Sequence, residues 1–344
     1  MRAIRRFLAF VLIASAFLAA ATGLAIYVGA TRWRSQLTAE VLIEPGMSMR
    51  AIAARLAREG VIGTPRLFEV VGRARGVDRR LKAGTYEFPA GVRMPEVMGM
   101  LARGEVKQYA FTVIEGWTIA DIARALERQP FLVDDDMPAR FAAAAREPGK
   151  AAALGFEGAP TLEGYLFPDT YLVAKPLGEA ALIKVMTDRF AEVWKDLSAE
   201  GSPREGMGMR DVVTLASIVE KETGDPSERP LIASVFFNRL GRGMPLQSDP
   251  TIIYGLVDFD GNIRKQDISN PHRYNTYLHP GLPPGPICSP GKASLAAVLN
   301  PSPSDYLYFV SKKDGTHEFS ATLSEHSSAV RRYQLNGGRM AGER

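Results

Sequence analysis

The chain of 344 residues predicts an α+β protein with an N-terminal apolar helix, a small α/β module and a mixed α+β domain whose cleft is built by loops. Three observations carry this. Residues 7–31 contain no Asp, Glu, Lys or Arg. A strand–turn–helix pattern recurs between residues 41 and 126. From Pro245 onward the chain is rich in Pro, Gly and Tyr and poor in long periodic stretches, as in loops that line a site on a scaffold. The expected organisation is a short cytoplasmic N-terminus over 1–6, a membrane helix over 7–31, a module over 38–130 and a catalytic domain over 155–340.

The charge-free run is long enough, at 1.5 Å per residue, to cross a hydrocarbon core of about 30 Å. Arg2, Arg5 and Arg6 precede it and place the N-terminus in the cytoplasm, although Arg32 and Arg34 weaken the asymmetry. The rest of the chain is then expected outside the cytoplasm. Ala19-Ala20-Ala21 offers a signal-peptidase site, but apolar residues continue to Val28, which favours an uncleaved anchor.

The repeat follows. Val41–Gly46, Gly84–Gly91 and Phe111–Gly116 each read as a short strand closed by a turn glycine, and each leads into a helix-spaced apolar stretch. Ser48 and Thr118 are suited to cap the helices they precede. Such a unit resembles the LysM fold, a small module that binds peptidoglycan sugars; a plain α/β module without a ligand is the alternative. Residues 130–160, Ala-rich with Asp134-Asp135-Asp136, predict a loop and a surface helix. Residues 178–200 predict an amphipathic helix with Leu182, Val185, Met186, Phe190 and Val193 inward. Residues 201–208 read as a linker. Tyr306–Val310, the Asp314-Gly315 turn and His317–Phe319 read as a hairpin with a buried first strand, and residues 322–334 as a closing helix.

Composition narrows the function. A net charge of +4 with acidic and basic residues intermixed argues against a nucleic-acid binder. The single Cys288 excludes an intramolecular disulfide and a cysteine metal cluster. His272, His279, His317 and His326 lack the i, i+4 spacing of a helical zinc pair, so no metal and no cofactor is expected.

Residues 212–223 predict an amphipathic helix. At 100° per residue, Glu220 projects between Val213 and Ala216 on the apolar face. A carboxyl among apolar walls is held protonated and serves as a general acid. Glu222 falls on the other flank, beside Leu215 and Ile218, and reads as structural. A glutamate at the edge of an apolar stripe also commonly snorkels to water, so the case rests on the residues that follow.

Several segments together resemble one family. They are Leu162–Tyr171, Leu215–Thr223, Val235–Leu240, Leu246–Thr251, Tyr274–Tyr277, Gly281–Ile287 and Tyr306–Val310. In order and spacing the chain resembles the endolytic murein transglycosylases, also called the MltG or YceG-like family. The resemblance implies a membrane anchor, a LysM-like module and a catalytic domain, with the catalytic glutamate at Glu220. It further implies cleavage of the MurNAc–GlcNAc β-1,4 bond of nascent peptidoglycan strands, with a 1,6-anhydro end and no water consumed. Location in the inner membrane facing the periplasm, and partnership with peptidoglycan synthases in ending strand growth, follow from the same resemblance.

One carboxyl can act first as acid and then as base in this reaction, whereas hydrolytic glycosidases usually need two. Gln247, Asp249, Tyr254, Asn275 and Tyr277 are expected to support the charged transition state. Glu163, Tyr165 and Asp169 form a conspicuous loop expected to touch substrate. Asp249 ahead of Pro250 equally suits a cap, and Tyr277 equally suits packing. Three other readings stay open: a hydrolase pairing Glu220 with Asp249 or Glu163, a non-enzymatic peptidoglycan scaffold, and a cytoplasmic lyase.

Overall fold

The computed structural model describes residues 2–132, 134–256 and 258–335, without the side chains of residues 2–6, 9, 27, 30 and 31. The expected domain end at residue 340 lies outside the described residues. Two compact units emerge, Met1–Tyr109 with Leu172–Leu177, and Ala110–Tyr171 with Gly178–Arg344. The division falls between Tyr109 and Ala110, upstream of the 130–155 stretch where the sequence placed it.

The first unit opens with α1 (Arg2–Arg32), one continuous helix of 31 residues. Its side chains are described without a break over 10–26, and among the described residues no helix is long and apolar enough to cross a membrane. The expected crossing over 7–31 falls on this helix and is not borne out among the described residues. There follow β1 (Ala39–Ile43), α2 (Met49–Arg58), α3 (Pro65–Ala74), β2 (Gly84–Phe88) and α4 (Met94–Arg103). β1 and β2 pair antiparallel with Val41 opposite Tyr86. Val41, Ile52, Leu56, Phe68, Tyr86 and Leu101 are sealed in this unit's core.

β3 (Gln108–Thr112) carries the chain into the second unit, and β4 (Thr170–Ala174) pairs with it. The predicted repeat is thus real as backbone. β1, β2 and β3 each run into a left-handed glycine, Gly46, Gly91 and Gly116 with φ of 82°, 84° and 78°, and then a helix. A side chain would strain all three positions. Ser48 caps α2 by accepting the Ala51 N–H at 3.2 Å. Thr118 and Asp121 form a reciprocal capping box on α5 (Ile119–Leu126).

The second unit continues through α6 (Met137–Arg146), α7 (Lys150–Ala153), α8 (Glu179–Glu200), α9 (Met209–Glu222) and α10 (Arg229–Gly241). Short α11 (Asp249–Gly255), α12 (Lys265–Ile268) and α13 (Lys292–Leu299) punctuate the loop-rich stretch. β5 (Tyr308–Ser311), β6 (His317–Ser320) and α14 (Leu323–Val330) follow. β5 and β6 form the expected hairpin, Tyr308 opposite Ser320, though β5 is half-buried rather than buried. α6 is more than a surface helix, because Met137 and Phe141 are buried. On α8, Val185 is 42% exposed and Ile183 and Leu197 turn inward in its place. Periodicity located that face but misjudged its edge by one residue.

α9 departs most from its expected form. Every residue from Val212 to Val219 is buried, so the helix has no solvent face over two turns. It packs against α10 and α13. Its polar members are absorbed internally: the Thr214 hydroxyl donates to the Arg210 carbonyl, and Ser217 Oγ to the Thr214 carbonyl. Ser217 Oγ also accepts the Ile287 N–H at 3.0 Å, and the C-terminal turn carries Glu220 and Glu222.

Phe190 is 1% exposed and sits among Phe156, Tyr165 and Trp194. Phe190→Ala is expected to cost about 3–5 kcal/mol in urea denaturation, whereas Val185→Ala on the same helix stays within about 0.5 kcal/mol.

Candidate active site

α9 ends by presenting two carboxylates two residues apart, about 200° apart around the helix. They enter different environments. Glu220 has a side chain only 6% exposed and pairs with Arg229 at 3.0 Å, itself 8% exposed. Its other oxygen accepts the Gly291 N–H at 2.9 Å and the Ser294 hydroxyl at 2.7 Å. Gly291 is the N-cap of α13, so Glu220 closes that helix's N-terminus. Glu115 lies 3.8 Å from the same Arg229, and a Cβ at Gly291 would collide with its carboxyl. Burial and the Glu220 charge push the Glu115 carboxyl above its ordinary value.

Alongside the apolar residues of α9, the surroundings of Glu220 thus include an arginine, a backbone N–H and a hydroxyl.

Glu222 faces a cavity of about 360 Å³ lined also by Arg239, Gln247, Asp249, Tyr277, His317 and His326. The Ser248 hydroxyl donates to its carboxyl at 2.5 Å. Burial pushes the Glu222 carboxyl up to about 7; the Ser248 hydrogen bond opposes this, the Asp249 charge adds to it and Arg239 opposes it. A carboxyl that stays protonated near neutral pH beside an open polar cavity is a general acid by environment.

Three predicted residues meet in this cavity. Gln247 holds φ at 53°, a left-handed conformation costly for a residue with a side chain. Its N–H donates to the Thr276 carbonyl and its side-chain oxygen accepts from Arg239 at 3.3 Å. Asp249 begins α11 and accepts the Tyr277 hydroxyl at 2.6 Å. Burial and then Asp249 raise the Tyr277 phenol, which keeps it a donor. Arg239 fixes the wall by donating to the carbonyls of Leu307, Pro245 and Leu246.

The other predicted residues do not line the cavity. Glu163 is 3% exposed and accepts the Ile119 N–H at the start of α5 and the Tyr254 hydroxyl at 3.2 Å. Burial raises its carboxyl to about 7 against those two bonds. Tyr254 is thereby committed to Glu163. Tyr165 is wholly buried and stacks on Phe156 at 4.6 Å, a core residue rather than a sugar platform. Asp169 pairs with Arg189 at 2.8 Å on the surface. Asn275 is buried and staples its own loop, donating to the Ile268 and Asn270 carbonyls and accepting from Tyr277 N–H.

Sequence reasoning missed Glu222, Arg239, Ser248, His317 and His326. The histidines were weighed only as zinc ligands. The signal for Glu222 was present, since it lies four residues after Ile218 and immediately upstream of a polar turn.

A half-buried carboxyl, an oriented phenol and a left-handed cavity residue are thus gathered in one cavity of an α+β scaffold. The chain belongs to the YceG-like family, whose sequence pattern matches residues 41–332. An endolytic murein transglycosylase of Bacillus subtilis is 32% identical over 314 residues, covering 87% of this chain and 86% of that protein. One of Streptococcus pneumoniae is 30% identical over 319 residues, covering 84% of this chain and 57% of its own greater length. A solved yceG-like protein of Listeria monocytogenes is similar with a TM-score of 0.57 at 30% identity, over 86% of this chain and 99% of that one.

Two stability outcomes follow. Glu220→Ala leaves Arg229 a buried, unpaired charge and uncaps α13, and is expected to lower unfolding free energy by about 3–5 kcal/mol in urea titration. Glu163 has a folded-state value of about 7 against an ordinary 4.5, so its contribution is full below pH 4.5 and is lost as pH rises through 7. The difference corresponds to about 3 kcal/mol. Relative to wild type, Glu163→Gln should therefore gain up to about that amount between pH 4.5 and pH 8, read from denaturation midpoints at each pH.

Proposed function

We propose that the chain is a membrane-anchored endolytic lytic transglycosylase that cleaves the MurNAc–GlcNAc β-1,4 bond of nascent peptidoglycan strands. The single observation that carries this reading is the Glu222 carboxyl, raised to about 7 in the cavity that also gathers Gln247, Asp249 and Tyr277. Glu222 gives its proton to the glycosidic oxygen. The muramic acid C6 hydroxyl attacks C1, the C1–O bond to the leaving sugar breaks, the Glu222 carboxylate takes the C6 hydroxyl's proton, and a 1,6-anhydro ring closes without water. Tyr277 and Gln247 offer hydrogen bonds to the charge that develops on the sugar. Glu220 is a positioning residue that fixes the end of α9 through Arg229 and α13.

The anchor is the charge-free run 7–31, and the periplasmic face of the inner membrane is the location this orientation implies. The first unit, with two helices between antiparallel β1 and β2, is read as a LysM-like module for glycan. Peptidoglycan synthases are the proposed partners, and ending strand elongation the proposed role. A hydrolase is the second reading, favoured by Asp249 standing in the same cavity as Glu222.

Mass spectrometry of glycan strands incubated with the full chain in detergent tests this. Anhydro-ended products from wild type are expected, with Glu222→Gln slower by about 10²–10⁴-fold. Folded Glu220→Gln, which removes a positioning ion pair rather than the acid, is expected to lose less turnover than Glu222→Gln. Products one water heavier would establish the hydrolase instead. Loss of turnover in folded Glu220→Gln with full activity in Glu222→Gln would return the acid to Glu220.

A further inference from the structure

Behind the cavity, Ser248 carries a hydroxyl that its own helix does not use. Ser248 is the N-cap residue of α11, where a serine side chain ordinarily accepts a hydrogen bond from one of the first helical N–H groups. Here the side chain makes no capping bond. The hydroxyl donates instead to Glu222 Oε1 at 2.5 Å, across 26 residues of sequence. Ser248 is 2% exposed and does not line the cavity, so it meets the carboxyl from the protein side. Two further buried hydroxyls hold it there. Its N–H donates to Thr276 Oγ1 at 3.0 Å, and its carbonyl accepts the Thr251 hydroxyl at 2.6 Å. The Thr251 and Thr276 hydroxyls share a hydrogen bond of 2.9 Å, and both residues are buried. Three hydroxyls in a dry interior cost free energy that only their hydrogen bonds offset, and this cluster ends on one carboxyl.

Resting on the transglycosylase reading above, we propose that Ser248 is a positioning residue for Glu222: its hydroxyl holds Oε1 as an acceptor and so places the transferable proton on Oε2, the oxygen left to the cavity. A protonated carboxyl has one O–H donor, and its other oxygen is the better acceptor. Ser248 therefore serves Oε1 in both states of the acid, while Oε2 has no hydrogen-bond partner among the described residues. The glycosidic oxygen takes the Oε2 proton. The Ser248 bond then becomes charge-assisted and stabilises the carboxylate. Oε2 next receives the proton of the C6 hydroxyl, so Glu222 begins and ends the cycle protonated. Ser248 exchanges no proton, and no co-reactant enters.

The neighbouring polar groups do not fit this role. The Thr251 and Thr276 hydroxyls bond backbone and one another, and the Gln247 side-chain oxygen accepts from Arg239. The charged and titratable groups that face Glu222 are Arg239 on α10, Asp249 on α11, Tyr277, His317 on β6 and His326 on α14. All of them stay when Ser248 is changed, so a difference between wild type and variant reads the hydroxyl. Its sign is fixed. Burial raises the Glu222 carboxyl and the Ser248 bond lowers it, so loss of that bond raises it further.

The test is the pH profile of single-turnover cleavage by the full chain in detergent, with anhydro ends counted by mass spectrometry. Wild type is expected to lose rate as pH rises through about 7, where Glu222 ionises. Ser248→Ala is expected to keep the anhydro product and to fall about 10- to 10²-fold at the optimum, the worth of a hydrogen bond to a charged group. Its alkaline decline should move about one to two pH units higher. Ser248→Thr keeps the hydroxyl and should restore both rate and profile. Ser248→Gly lacks the hydroxyl yet suits an N-cap, and carries the test should Ser248→Ala not fold. An unchanged rate in the folded Ala or Gly variant, or a reduced rate with the alkaline decline unmoved, would overturn the positioning role and leave the lytic reading standing. Absence of anhydro ends from wild type, or full activity in Glu222→Gln, would overturn both.

Discussion

The ion pair of Glu220 with Arg229 is the constraint on which the site depends. It joins the last turn of α9 to the first residue of α10, and through Gly291 and Ser294 to the first turn of α13. Three helix ends are thus held by one carboxylate. Neither partner has water to fall back on, so each fixes the other's position, and removing either leaves a buried charge unpaired. The buried middle of α9 is mostly apolar, and its polar fastening there comes from Ser217, whose hydroxyl accepts the Ile287 N–H; the Glu220 ion pair fastens its end. With Glu220 locked, Glu222 has one direction left to point, and the cavity lies there.

The cavity wall is held from the other side by Arg239. Its guanidinium gathers three backbone carbonyls from two separate segments and lies over the Tyr308 ring. The loop carrying Gln247 and Asp249 is pinned to the β5–β6 hairpin in this way. The left-handed backbone at Gln247 is affordable only because Arg239 and Thr276 over-determine that residue.

Local pattern was legible in the sequence where it depended on neighbours along the chain. The three strand–glycine–helix units, the caps at Ser48 and Thr118, α8 and the final hairpin all follow from spacing and turn chemistry. What spacing could not reveal is what a helix meets. The reading of Glu220 as the acid followed from its apolar neighbours on α9, but Arg229, Gly291 and Ser294 arrive from nine to 74 residues away. Tyr165 stands in a loop expected to touch substrate, yet Phe156 and Phe190 close over it. Asn275 and Tyr254 carried the right chemistry, but their hydrogen bonds are consumed in shaping loops. Gln247, Asp249 and Tyr277 come together in one cavity because their segments return to the end of α9.

The two glutamates of α9 show why an apolar sequence context is a poor guide to an acid. A carboxyl flanked by apolar residues on a fully buried helix must recruit a counter-charge or destabilise the fold, and Glu220 recruits Arg229. The carboxyl that keeps a raised proton affinity is the one that is buried without a cation of its own. Glu222 receives a neutral hydroxyl from Ser248 and the repulsion of Asp249, while Arg239 is already committed to carbonyls. Its burial is thus not offset by a dedicated ion pair, and its proton stays available. On an α-helix the offset of two residues separates the two carboxyls by more than half a turn, so a single helix end can present one to an arginine and the other to a cavity.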